Sequence, residues 1–204
     1  MQLNPAGAFE TQGRLACRVL LLGLVFLPLQ LQADQPPDFP EYRECSDFLW
    51  YCASIEKTSE EELPGWEASF RLVMLDMRNR KDRVKWEQPY MHPGYRGGLV
   101  TVDGGHFVYV DQWYRVDAPV VWIYSADKVV TVNGREFGIP AAALKPTVSH
   151  KLWLQMSAPR SVLHKGGVTI WLIDGRVARV SLEDGQVSFP ESGKPVAGNR
   201  EPRP

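Results

Sequence analysis

The 204-residue chain is predicted to be mainly β: an antiparallel sandwich, barrel or strongly curved sheet of about ten short strands, with one short N-terminal helix. Three observations carry this expectation. Past Trp66 the apolar residues recur with period two rather than with a helical period. Turn dipeptides interrupt them at short intervals. Paired glycines precede strands at Gly97-Gly98, Gly104-Gly105 and Gly166-Gly167, which reads as turn and bulge chemistry rather than an internal repeat, since the intervals are irregular.

The chain opens with Arg14 and Arg18, the apolar run 19–29 and then Leu31-Gln32-Ala33. That is the charged, apolar, small-residue order of a secretory signal peptide. The run is about eleven residues and is broken by Pro28, whereas spanning a bilayer as a helix takes roughly 20. Residues 1–33 are therefore expected to be removed, leaving no membrane span in the mature chain. Cys17 precedes the apolar run, so no lipid attachment is expected. The chain has no Asn-x-Ser/Thr glycosylation site, and the periplasm is the expected destination, with secretion the alternative.

Removing Arg14, Arg18 and Glu10 from 23 basic and 24 acidic side chains leaves 21 and 23. A chain so balanced has no basic field to offset phosphate charge, and nucleic acid is not an expected partner. Of the three cysteines, Cys17 leaves with the leader, so Cys45 and Cys52 remain as a pair in an oxidising compartment.

Residues 34–65 read as a Pro-rich lead-in and the short helix, over 46–56. Tyr42, Cys45, Leu49, Cys52 and Ile55 fall at helical spacing. Residues seven apart in one helix lie roughly 10 Å apart, too far for a disulfide. The helix is therefore started at Ser46 or Asp47, with Cys45 folding back from the preceding loop to bridge Cys52; two buried thiols are the alternative.

The β domain covers 66–189. Its expected elements are a hairpin of 68–77 against 83–86, a loop over 87–98, strands 99–102 and 106–116 flanking the turn Asp103-Gly104-Gly105, and a strand over 120–125. Asn133-Gly134 between 129–132 and 135–139 is the strongest short hairpin signal in the chain. A strand over 148–156 follows, then 168–173 against 176–182 across Asp174-Gly175, then 186–189. Residues 190–204 hold four prolines and almost nothing apolar, the composition of a disordered tail.

No nucleophile elbow, zinc-protease motif, Cys-x-x-Cys, phosphate loop or dinucleotide fingerprint occurs. No cofactor and no metal are expected, because His92, His106, His150 and His164 are isolated from one another in sequence. Asp103, His106 and Asp111 are the residues on which a hydrolase would have to be built; the plainer reading is that Asp103 sets a turn and His106 opens a strand.

Two segments suggest binding instead. The stretch 86–96 puts Trp86, Tyr90, His92, Tyr95 and Arg96 between prolines and a glycine pair. Aromatics with polar tips bury large area at low entropy cost, and arginine adds a planar fork for carboxylate or phosphate. The alternative is that these rings fold back and close the core. In the strand 106–116, Phe107, Tyr109, Asp111, Trp113 and Arg115 share one face by period two, which fits a sugar- or amphiphile-binding surface as well as an ordinary half-solvated strand. The charged run Arg78, Arg80, Lys81, Arg83 and Lys85 reads as a solvated hairpin tip.

The expectation is thus an exported, soluble, non-catalytic binding module. Its partner would be a protein that it inhibits or neutralises, or a glycan or amphiphile of the cell envelope. An extracytoplasmic hydrolase and an accessory protein of an envelope assembly are the alternatives.

Overall fold

The computed structural model describes residues 37–59, 63–78, 82–157 and 159–190. The expected signal peptide over 1–33 and the tail from 191 onward lie outside them. Fourteen strands occur among the described residues, in three antiparallel four-stranded meanders and one small ribbon. The first meander is β1 (Tyr42–Cys45), β2 (Tyr51–Lys57), β3 (Phe70–Asp76) and β4 (Arg83–Tyr90). The second is β5 (Leu99–Val100), β6 (Phe107–Val110), β7 (Pro119–Tyr124) and β8 (Val129–Asn133). The ribbon pairs β9 (Lys145–Pro146) with β10 (Lys151–Leu152), and the third meander is β11 (Ser161–His164), β12 (Gly167–Trp171), β13 (Val177–Ser181) and β14 (Val187–Ser188). The fold is mainly β and sandwich-like, with no sheet closed into a barrel among the described residues.

The second meander is the middle layer, because its two faces feed two different cores. Phe107, Tyr109, Trp122 and Tyr124 pack with Ile55, Leu72, Met74 and Trp86 of the first meander. Val108, Ile123 and Val132 pack with Val168, Ile170, Ala178 and Val180 of the third. Period two sends alternate residues of β6 and β7 to opposite faces, and both faces are apolar, so β7 reads as an unbroken hydrophobic run. The register of β7 against β8 shifts between Pro119 and Val121. This bulge lets Val120 and Val121 both join the second of these cores.

Several sequence expectations need correction. The helix over 46–56 is absent: β1 and β2 form a hairpin around a turn at 46–50, with Cys45 paired to Cys52. The helical spacing was coincidental, since Tyr51 to Ile55 are all buried, as a strand covered on both faces requires. The disulfide itself is present; it joins partners across two strands, which removes the distance objection a helix raised.

The Asn133-Gly134 hairpin is also absent. Gly134–Phe137 is a 3-10 helix, and a Cβ on Gly134 would lie 2.3 Å from the Arg115 carbonyl oxygen. That glycine serves a close approach of two backbones, not a turn with positive φ. The strand expected over 106–116 ends at Val110. The one over 148–156 is reduced to Lys151–Leu152 plus isolated bridges from Trp113 to Leu152 and from Leu154 to Leu172. Strand β11 was not anticipated. The hairpin of β12 and β13 and the turn into β14 match expectation.

Candidate binding surface

The stretch 86–96 divides between the interior and the surface. Trp86, Glu87, Gln88, Pro89 and Tyr90 belong to β4 rather than to a loop, and Trp86 and Tyr90 lie in the core between the first two meanders. The Trp86 indole donates to the Gly104 carbonyl at 2.8 Å. The Tyr42 hydroxyl donates to the Gly97 carbonyl at 2.9 Å and meets the Tyr90 hydroxyl at 2.8 Å. Burial raises the pKa of both phenols well above the ordinary tyrosine range.

His92 is likewise internal. Its ring sits among Phe39, Tyr42, Phe70 and Tyr90. Nε2 lies 2.8 Å from the Pro40 carbonyl and Nδ1 accepts from the Gly94 amide at 3.0 Å. The amide fixes the tautomer, with Nε2 protonated and Nδ1 bare, and burial lowers the pKa. Trp86, Tyr90 and His92 are therefore core residues, and the reading in which these rings close one end of the sheet describes them.

The remaining four candidates converge. Tyr95, Arg96 and Tyr109 line one hollow of about 460 Å³ with Gly97, Gly98, Gln112, Arg160 and Ser161. Trp113 stands beside it, its ring edge-on to Tyr95 at 6.4 Å and stacked on His150 at 4.5 Å. The Trp113 indole nitrogen is buried with no hydrogen-bond partner. Two guanidinium groups, two phenols and a carboxamide in one concavity can hold a carboxylate or a backbone carbonyl. The sequence offered no signal for Arg160 and Ser161, because β11 is short and opens just after Pro159.

A larger cleft of about 1090 Å³ adjoins the hollow, sharing Gly98 and Ser161 with it. Residues 98–103 and 161–166 line it. Asp47, Asp103, His106, Asp127, Lys128 and Glu183 add polar groups.

Two of the candidate hydrolytic residues, Asp103 and Asp111, hold turns. Asp103 accepts from Thr101 Oγ1 at 2.7 Å and from the Gly105 amide at 2.8 Å, which together hold its pKa below the usual carboxylate range. His106 shares the cleft with it, but burial lowers the imidazole pKa and the carboxylate is committed to the turn. Asp111 closes a turn onto the Trp113 amide at 3.0 Å and pairs with Arg115; burial nonetheless raises its pKa. No cluster of His, Cys, Asp or Glu able to hold a metal ion occurs among the described residues. No described helix is long and apolar enough to cross a membrane.

The chain matches no protein-family model, no curated protein and no solved structure. The functional reading therefore rests on the geometry above.

Proposed function

We propose that this chain is an exported, non-catalytic binding module whose partner is a protein, engaged at the hollow of Tyr95, Arg96 and Tyr109 with Trp113 on its flank. The observation that carries the reading is convergence: three residues chosen for their chemistry line one concavity and a fourth, Trp113, packs against Tyr95 beside it, while Asp103 and Asp111 are committed to turns. Rigid aromatics beside an arginine form the kind of anchor that dominates protein interfaces. The two cores between the meanders are filled by side chains, so the surface concavities favour a protein over an amphiphile enclosed in the sheet. The Cys45–Cys52 bridge and the N-terminal leader pattern support an extracytoplasmic location.

The test is photo-crosslinking in the host cell with p-benzoylphenylalanine at position 95. The expected result is an adduct to one protein species, lost when Arg96→Glu is added. Adducts to lipid or glycan alone, or adducts that survive Arg96→Glu unchanged, overturn the reading.

A further inference from the structure

The hollow of Tyr95, Arg96 and Tyr109 sits where the β5–β6 ladder stops. Leu99 faces Val108 and Val100 faces Phe107, so the same register carried outward sets Gly97 opposite Val110. No backbone hydrogen bond joins that pair, and the Gly97 carbonyl accepts from the Tyr42 hydroxyl instead. Nor does Val110 find its partners on β7. The Asp111 amide bonds to the Val120 carbonyl, and bonding alternates along an antiparallel pair, so the N–H and C=O of Val110 point away from β7. Gly97 and Gly98 stand at φ +136° and +142°, a conformation open to glycine, and neither amide donates to a described group. All three residues line the hollow, which therefore has backbone donors and a backbone acceptor left over from an interrupted ladder.

Charge narrows the ligand. Arg96 and Arg160 reach the hollow from separate segments, and no ion pair among the described residues engages either guanidinium. Asp38 is the one carboxylate among the lining residues, so two positive charges less one negative leave a surplus of one. Glu44 stands near enough to Arg96 to feel its charge, which trims the surplus and disfavours a dianion such as phosphate. A volume of about 460 Å³ lies toward the lower end for ligand pockets and suits one residue rather than a longer segment.

We infer that the hollow captures the C-terminal residue of the partner protein. Arg96, Arg160 and the glycine amides hold its α-carboxylate, and the Val110 carbonyl accepts its N–H. A chain terminus is the group that brings a monoanion and a backbone N–H together, whereas an acidic side chain brings the anion alone. The inference rests on the protein-binding reading above and names which part of the partner enters.

The probes are N-acetyl forms of the common amino acids, each a one-residue mimic of a C-terminus, titrated into the isotope-labelled mature chain and read by amide NMR. At least one should shift the Gly97, Gly98 and Val110 amides saturably, in the millimolar range that a fragment of this size reaches. Replacing its carboxylate with a carboxamide should weaken binding at least about tenfold, as should Arg160→Gln, since each removes a charge-assisted bond. Arg160 is exposed, and its backbone carbonyl still holds the Trp171 amide in the variant, so amide signals outside the hollow should stay in place. N-acetylglutamate α-amide, whose carboxylate is on the side chain only, separates a chain terminus from an acidic side chain. Shifts by none of the acids, equal binding of the carboxamide or of the side-chain acid, or tighter binding of inorganic phosphate overturns the proposal. If the acids fail while the crosslink at position 95 persists, the chain-terminus inference falls and the protein-binding reading stands. If they bind while position 95 captures no protein, the carboxylate site stands and the protein-binding reading falls.

Discussion

Cys45 and Cys52 stand directly opposite each other across β1 and β2, with Cα atoms 4.0 Å apart. The bridge closes the neck of a hairpin whose tip, Phe48, Leu49 and Trp50, is 63%, 67% and 51% exposed. Leu49 sits at φ +57°, a left-handed conformation that costs a side-chain-bearing residue roughly 1–2 kcal/mol. Bonds from the Ser46 and Leu49 amides to the Tyr51 and Ser46 carbonyls hold the turn. A seven-residue separation restricts the unfolded chain by about 2.5 kcal/mol on the loop-entropy account. Changing both cysteines to alanine should lower unfolding stability by about that amount, measured by urea titration, and should speed chymotrypsin cleavage at 48–50. An unchanged midpoint would show that strand pairing alone fixes the hairpin.

Two tryptophans should respond in opposite directions to the same substitution. Trp153 is fully buried, and its indole donates to the Asp111 carbonyl at 2.7 Å. Trp153→Phe removes that bond and leaves a gap beside Phe137, at a cost of about 1–3 kcal/mol. Trp113 buries an indole N–H with no partner. Trp113→Phe deletes that unmet donor and should be neutral or stabilising. Thermal unfolding of the two variants side by side decides the matter, and equal losses at both would contradict it.

His92 should make stability fall in mild acid. Its folded pKa is lowered by burial from the ordinary 6.5, so just below that pH the unfolded chain takes up a proton that the folded chain refuses. Stability then falls as pH drops below about 6.5 and levels off only beneath the folded pKa. The geometry gives the same sign, since a proton on Nδ1 would face the Gly94 amide hydrogen. His106, also lowered by burial, adds to the effect. His92→Gln should flatten the dependence of the urea midpoint between pH 7 and pH 5; an unchanged slope would assign it to other groups.

How much of this was legible in the sequence depends on where each signal came from. The β12–β13 hairpin was readable because Asp174-Gly175 and the alternating residues around it report local geometry. The first hairpin was misread because Tyr51 to Ile55 are covered on both sides, and a doubly buried strand loses the alternation that marks it as one. Gly134 was misread because a glycine needed for backbone approach looks like a glycine needed for a turn. The loop chemistry was half legible. Tyr95 and Arg96 reach the hollow, while Trp86, Tyr90 and His92 face inward; the register of β4 decides this for Trp86 and Tyr90, and the irregular chain beyond Tyr90 decides it for the others.

That division yields a test separating surface from core within one stretch of chain. Arg96 is exposed at the hollow and Trp86 is buried in the core. Arg96→Ala should leave the unfolding midpoint within about 0.5 kcal/mol of wild type while weakening the captured partner at least about tenfold, the loss typical of an anchoring arginine. Trp86→Ala should cost about 3–5 kcal/mol of stability, because it empties a site among Tyr51, Met74 and Tyr109 and orphans the Gly104 carbonyl. Paired urea titrations and partner-binding isotherms measure both quantities on the same protein. If Arg96→Ala destabilises the fold as much as Trp86→Ala does, or leaves binding intact, the hollow is a structural feature and the contact surface lies elsewhere.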